Sequence, residues 1–264
     1  MGILSGTGDI IDSSLSIPHR GRRPYYTHRA AYNFLFQGSP PPLDGAMLVK
    51  NLYRHIEKNW ESRKPSPDNW KLRRRENYSR DNRSRETRLE REIIQLDQAN
   101  PPTWYNQIST SSGLLGSRED KRRAVDLIHN CSSPTGKQHY ELIELKIQSD
   151  TQNDTPLSAA FEVLQYGLLY LFSRRNMSRL GYTHERQKRL LEADGIHLRV
   201  LAPQKFYEPF KLGWLEQSLS QGISTFARAK EFEVEMDFAF LVLRIGMERL
   251  IRKTRSNLTR IAQP

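Results

Sequence analysis

Two short apolar runs and the longer one that follows them constrain this chain more than any other feature. AVDLI (residues 124–128) and YELIELKI (140–147) both alternate with a period of two, and the turn-forming CSSPTGKQ lies between them. That pattern predicts a β-hairpin with a slightly long loop. On the first strand Ala124, Asp126 and Ile128 share one face, with Val125 and Leu127 on the other. On the second, Tyr140, Leu142, Glu144 and Lys146 share a face, opposite Ile143, Leu145 and Ile147. Residues 156–173 (PLSAAFEVLQYGLLYLFS) then predict a strongly apolar helix, opened by Pro156, whose missing N–H suits a first turn.

The flanking regions extend this core. Met47, Leu48, Leu52, Tyr53 and Ile56 recur at helical spacing, so residues 46–60 predict a helix. Residues 71–91 are dense in arginine with Glu and Asp interspersed, a run that can contact phosphates or form a solvated helix face or linker. It passes into a helix through Leu89, Ile93, Ile94 and Leu96, which ANPPT must end because paired prolines cannot continue it. WYNQIS, given no element, and a Ser/Gly turn follow. Residues 174–195 read as a basic surface stretch, 196–201 (IHLRVL) as a strand, 214–229 as a helix and 232–242 as a strand. The tail MERLIRKTRSNLTRIAQP predicts a basic amphipathic helix. Helix, hairpin, helix, strand, helix, strand implies an α/β sandwich around a mixed sheet. Residues 1–80, basic, aromatic and rich in breaks, are expected to form a helical and extended appendage to a domain at 81–264. Within it PHRGRRPYYTHRAAYNFLF is expected to pack on the domain through its aromatics; base stacking is the other use of such a segment.

Composition narrows the partners. A formal net charge of +11 favours polyanions, nucleic acid ahead of anionic membrane. The lone Cys131 excludes an internal disulfide and a cysteine-built zinc site, which fits a reducing compartment. No apolar run approaches the roughly 18 residues of a spanning helix. The N-terminus lacks the pattern of a secretory signal, and Gly6 stands where myristoylation of Gly2 wants Ser or Thr. The expectation is an intracellular protein, cytoplasmic or nuclear, with no membrane partner.

The hairpin carries chemistry. Two carboxylates and a backbone carbonyl make an open oxygen site for a hard cation such as Mg2+. Asp126 and Glu144 supply the carboxylates and Leu145 the carbonyl. Such a cation polarises a phosphoryl group and lowers the pKa of an attacking water, and Lys146 is spaced to orient that water or to neutralise developing charge. Spacing alone is not enough: Glu119-Asp120-Lys121 repeats it in a charged turn with no strand around it. The competing reading of Glu144 and Lys146 is a surface salt bridge on an edge strand.

Asp126, then Glu144-Leu145-Lys146, then Gln165-Tyr166 resemble the PD-(D/E)XK nuclease superfamily, over roughly residues 85–205. The resemblance implies the restriction-endonuclease-like fold, a three-layer α/β/α sandwich with a central mixed sheet. It also implies a Mg2+-dependent hydrolase, with Mn2+ as substitute, that cleaves nucleic acid, DNA before RNA. It carries Asp126, Glu144 and Lys146 into catalytic roles and Gln165 into a supporting one, although Gln165 also reads as an ordinary helix-surface amide. The first-helix acid of that superfamily falls on Glu90, with Glu86 one turn earlier as second choice. The name-giving proline is absent, since Val125 precedes Asp126. A homodimer would bring two sites to a duplex. The alternative is a non-catalytic nucleic-acid-binding or scaffold module that keeps the fold. Glu162, one turn before Gln165 and Tyr166, reads as solvated, with a further carboxylate for the site as its other use; Tyr166 and Tyr170 read as packed against the sheet, and His129 and His139 as flanking the hairpin turn.

Overall fold

The computed structural model describes residues 2–17, 25–36, 42–60, 63–77, 84–114, 123–132, 136–147, 155–208, 210–229, 232–243 and 258–260. The hairpin is present as β2 (Ala124–Asn130) and β3 (His139–Leu145), antiparallel with Leu127 opposite Ile143 and Ile128 opposite Leu142. A strand absent from the sequence reading, β1 (Trp104–Ser109), pairs antiparallel with β2 on its far side. Beyond β3 come β4 (Gly195–Pro203) and β5 (Glu235–Leu243), each parallel to its neighbour, and then a short antiparallel β6 (Leu258–Arg260). The sheet order is β1-β2-β3-β4-β5-β6, so β3 lies inside the sheet. This excludes an edge-strand salt bridge at Glu144 and Lys146.

Parallel neighbours need long crossovers, and helices supply them. Between β3 and β4 run α5 (Pro156–Arg175), α6 (Met177–Leu180) and α7 (Glu185–Leu191); between β4 and β5 run α8 (Gln204–Tyr207) and α9 (Gly213–Ala229). The expected surface stretch at 174–195 is therefore partly core, with Leu180, Tyr182, Leu190 and Leu191 buried. The helix α5 begins at the Thr155 cap, whose hydroxyl accepts the Ser158 N–H at 3.1 Å, and ends in Arg174 and Arg175, cations that suit its negative end. Nearly every residue between is buried.

Strand alternation divides the apolar side chains between two layers. Leu142, Val200 and Phe240 join a large cluster with α5, α9, α1 (Thr7–Ser14) and α3 (Gly45–Asn59). Their neighbours Ile143, Leu201 and Leu241 join a smaller cluster with Leu89 and Ile93 of α4 (Arg85–Leu96). Helices thus cover both faces of a mixed sheet, an α/β arrangement compatible with a three-layer sandwich. Val125 falls in the large cluster with Ile128 instead of following Leu127, so the predicted alternation of β2 does not extend to its first residues.

Residues 1–80 contribute to the same core. Ile3, Ile11, Leu48, Leu52 and Trp70 lie in the large cluster. Where α3 meets α9 the backbones nearly touch: a Cβ on Gly222 would come within 2.4 Å of the Gly45 carbonyl oxygen, so only glycine fits. Within the basic aromatic segment, residues 18–24 lie outside the described residues, Tyr25–Thr27 forms a 3-10 turn and Arg29–Phe36 forms α2. Tyr26 packs edge-on against Phe161 at 5.3 Å, so aromatic packing is the use made of it there. The expected C-terminal helix lies outside the described residues except at 258–260, which are strand.

The arginine-rich run is neither helix face nor linker between 70 and 77. It lies along the outer edge of β1, where Trp70 donates its N–H to the Ser109 carbonyl at 2.8 Å and Asn106 donates to Arg73 at 3.2 Å. The Trp70 indole, fully buried, anchors the run by donating to Ser173 at 2.8 Å. Covering a strand edge in this way satisfies backbone groups that would otherwise invite another strand. Asp97, just past α4, ties that helix to β1: its carboxylate accepts the N–H groups of Thr103 and Trp104, both at 2.9 Å, and the Arg74 guanidinium at 3.1 Å.

Burial pushes the Asp97 carboxyl up, but the N–H groups of Trp104, Thr103 and Ala99 outweigh it and hold the group below its ordinary value. A carboxyl so depressed stabilises the fold above the ordinary range near pH ~4, and that contribution disappears as pH falls through the folded value. Asp97→Ala should lower the unfolding free energy by about 2–3 kcal/mol at neutral pH, the scale of hydrogen bonds to a charged group. In urea titrations the gap from wild type should narrow as the pH is lowered from about 5 to about 3.

Candidate metal centre

The β2–β3 ladder ends at Leu127 and Ile143. One step further the register sets Asp126 across from Glu144, and the Asp126 carboxylate accepts the Leu145 N–H at 3.0 Å where a backbone carbonyl would otherwise serve. On its other side β3 stays paired with β4, and Lys146 donates its N–H to the Leu201 carbonyl at 2.9 Å. The end of β3 is therefore rigid, and its two charged side chains lie together as alternation predicts. Lys146 Nζ is 2.6 Å from Glu144 Oε1 and 3.6 Å from Glu162 Oε2.

Glu162, read from the sequence as solvated, thus belongs to this cluster. It sits on the first half of α5, where Tyr166, one turn on, donates its hydroxyl to Glu162 Oε1 at 3.1 Å. Glu144 is 3% exposed, and its Oε2 has no hydrogen-bond partner among the described residues. A buried carboxylate oxygen without a donor is costly, and such an atom needs a reason.

From the opposite layer α4 presents Glu90, 2% exposed. Its Oε2 accepts Gln107 Nε2 at 2.8 Å, and the same nitrogen stands 3.4 Å from Asp126 Oδ1. Glu86, the second-choice acid, lies at the same end and accepts the Ile147 N–H at 3.3 Å. Gln165 is buried but directed elsewhere: its Oε1 accepts from Arg123 at 2.8 Å and its Nε2 donates to Thr7 at 3.3 Å. It is therefore no surface amide; its hydrogen bonds tie α1 to the start of β2 and do not reach the acids. Tyr170, buried under the sheet, donates to the Leu190 carbonyl at 3.1 Å. His129 and His139 lie within β2 and β3.

Four acids, Glu90, Asp126, Glu144 and Glu162, thus lie near one another with one lysine among them. Burial and the charge of Glu90 push Asp126 well above the usual carboxylate range against the pull of Lys146. Burial, Asp126 and Glu162 do the same to Glu144. Burial raises Glu90 to about 7, with the Gln107 hydrogen bond opposing it. Burial works against the charge on Lys146, but Glu144 and Glu162 more than offset it, and its pKa rises, so the ammonium persists. Excess negative charge on buried and half-buried carboxyls is what a cation would relieve. The oxygen donors suit a hard divalent ion, with the unpartnered Glu144 Oε2 the clearest vacant acceptor. Among the described residues no three His, Cys, Asp or Glu side chains already form a cage, so backbone oxygen and water would have to complete the shell.

Two participants left different traces in the sequence. Glu162 stands one helical turn before Gln165 and Tyr166, a spacing that marks a shared face. Gln107 left none, because β1 itself lacks clear alternation. Comparison of the chain with protein-family models, curated proteins and solved structures finds no match.

Asp126→Asn removes one charge from the pocket and keeps an oxygen for the Leu145 N–H. In EDTA at pH 8 it should raise Tm by about 3 °C, the shift expected of about 1 kcal/mol in a chain of this size. The sign follows from the raised carboxyl: its ionisation opposes folding above the ordinary carboxylate value, so the advantage should shrink as the pH is lowered toward that value. Differential scanning fluorimetry across that range measures it.

Proposed function

We propose that the protein is a divalent-cation-dependent nuclease that hydrolyses phosphodiester bonds in DNA, in the manner of the PD-(D/E)XK enzymes its motif resembles. The observation that carries this reading is the contact of Lys146 with Glu144 at the end of an interior strand, beside Asp126 on the next. Asp126, Glu144 and the Leu145 carbonyl would hold the ion, which when bound supplies polarisation of the phosphoryl group and acidification of the attacking water.

The chain's own residues do the rest. Lys146, kept as an ammonium by Glu144 and Glu162, is a donor: it can hold a phosphoryl oxygen or a water and neutralise charge that grows there. Glu90 sits on the opposite layer as an acceptor of raised basicity, able to take a proton near neutral pH. Tyr166 keeps the Glu162 carboxylate turned toward Lys146. The net charge of +11 supports a polyanionic substrate. Arg73 and Arg74 are taken up in bonding to the Gln107, Ile94 and Asp97 carbonyls, so phosphate contacts fall to other cations of the chain. Among the described residues no helix is long and apolar enough to cross a membrane.

Purified protein incubated with labelled linear, branched and single-stranded DNA and Mg2+ or Mn2+ should cleave at least one of them. Lys146→Ala should be slower by roughly 10²-fold or more, the scale of losing one donor to developing charge. Equal cleavage by the two proteins would overturn the assignment. Binding that weakens with salt, needs no cation and survives Asp126→Asn would assign the fold to a non-catalytic nucleic-acid-binding module instead.

A further inference from the structure

We propose that Gln107 is a positioning residue of the cation site, a neutral donor that holds Glu90 beside Asp126 without neutralising either; the inference rests on the function proposed above. The backbone of β1 is unusual at one point. Gln107 has φ +52°, the left-handed region that a non-glycine residue rarely occupies. Its neighbours keep the register on either side, Asn106 opposite Leu127 and Ile108 opposite Val125, so the departure sits across from Asp126 and nowhere else.

Backbone strain of this kind persists only where the surroundings hold it. Here they do. The Arg73 guanidinium grips the Gln107 carbonyl through Nε at 3.1 Å and Nη2 at 2.9 Å. Asn106, fully buried, is fixed through its side chain to the backbone of Arg75, donating to its carbonyl at 3.2 Å and accepting its N–H at 2.8 Å. The product of this arrangement is the Gln107 amide nitrogen, 2.8 Å from Glu90 Oε2 and 3.4 Å from Asp126 Oδ1.

The residue type matters. Lysine or arginine there would also bridge two acids, but would cancel the negative charge that attracts an ion. Aspartate or glutamate would add repulsion and donate nothing. An amide is the side chain that orients two carboxylates and leaves their charge available. Partners of this kind, one step removed from a metal, set ligand orientation and affinity.

The test is Mn2+ titration of the full-length protein by calorimetry, with Tm measured in EDTA. Gln107→Asn tolerates the left-handed backbone but is one methylene short, and Gln107→Gly relieves the backbone altogether. Both should weaken Mn2+ binding by about 10- to 100-fold, the usual effect of losing such a partner, while unfolding in one cooperative transition. Gln107→Lys should weaken Mn2+ binding and raise Tm in EDTA, a pair of opposite effects that a purely structural role would not produce. Wild-type affinity in Gln107→Asn and Gln107→Gly, with binding lost in Asp126→Asn, would overturn this inference alone. Unchanged binding in Asp126→Asn would overturn the cation site itself.

Discussion

The arrangement of this molecule turns on the meeting of Lys146 with Glu144 and Glu162 at the end of β3, beside the neighbouring pair Asp126 and Glu90. Charges of one sign do not collect there by hydrophobic burial, which works against each of them. They are held by stiff elements on three sides: the end of β3, hydrogen-bonded to β4 through Lys146; the first half of the buried helix α5; and α4, tied to β1 by Asp97. Remove the rigidity and the acids would separate or take up protons.

A second charged cluster on the same sheet makes the contrast plain. At the other end of the strands His129, Glu141, His197 and Asp237 lie opposite one another across β2 to β5. Arg199 stands 3.3 Å from Glu141, and His129 meets the same carboxylate at 2.9 Å. Burial pushes Glu141 up, yet the His129 hydrogen bond and Arg199 bring it below its ordinary value, and His197 and Arg199 do likewise for Asp237. Acids here are matched by donors and read as structural. At the β2–β3 end they outnumber their donors, and Asp126, Glu144 and Glu90 are driven the other way.

The N-terminal residues bear on the site as well as on the core. Asp12, buried on α1, accepts the N–H groups of Tyr25 and Tyr26 at 2.6 and 2.7 Å, and Tyr26 then packs on Phe161, next to Glu162. Thr7 accepts the amide of Gln165, which in turn receives Arg123 at the entry to β2. Elements more than a hundred residues apart therefore brace the helix that carries Glu162 and Tyr166.

Local periodicity was sufficient for the hairpin, for α3, α4, α5 and α9, for β4 and β5, and for the shared face of Glu144 and Lys146, because alternation and helical spacing are properties of neighbouring residues. Glu90 was legible for the same reason, as an acid beside an apolar stripe. Tertiary structure alone decided the rest. β1 and the extended run at 70–77 are defined by partners, not by pattern, since both exist only as they lie against β2 and each other. Glu162 became part of the site because α5 aims it at Lys146. Gln107 gained its place from a left-handed backbone that Arg73 holds from outside the strand, and Gln165 was drawn away by Thr7, 158 residues earlier. Pairing over such distances leaves no repeat in the chain to read, which is why the neighbouring carboxylates and lysine were visible in the sequence and their supporting framework was not.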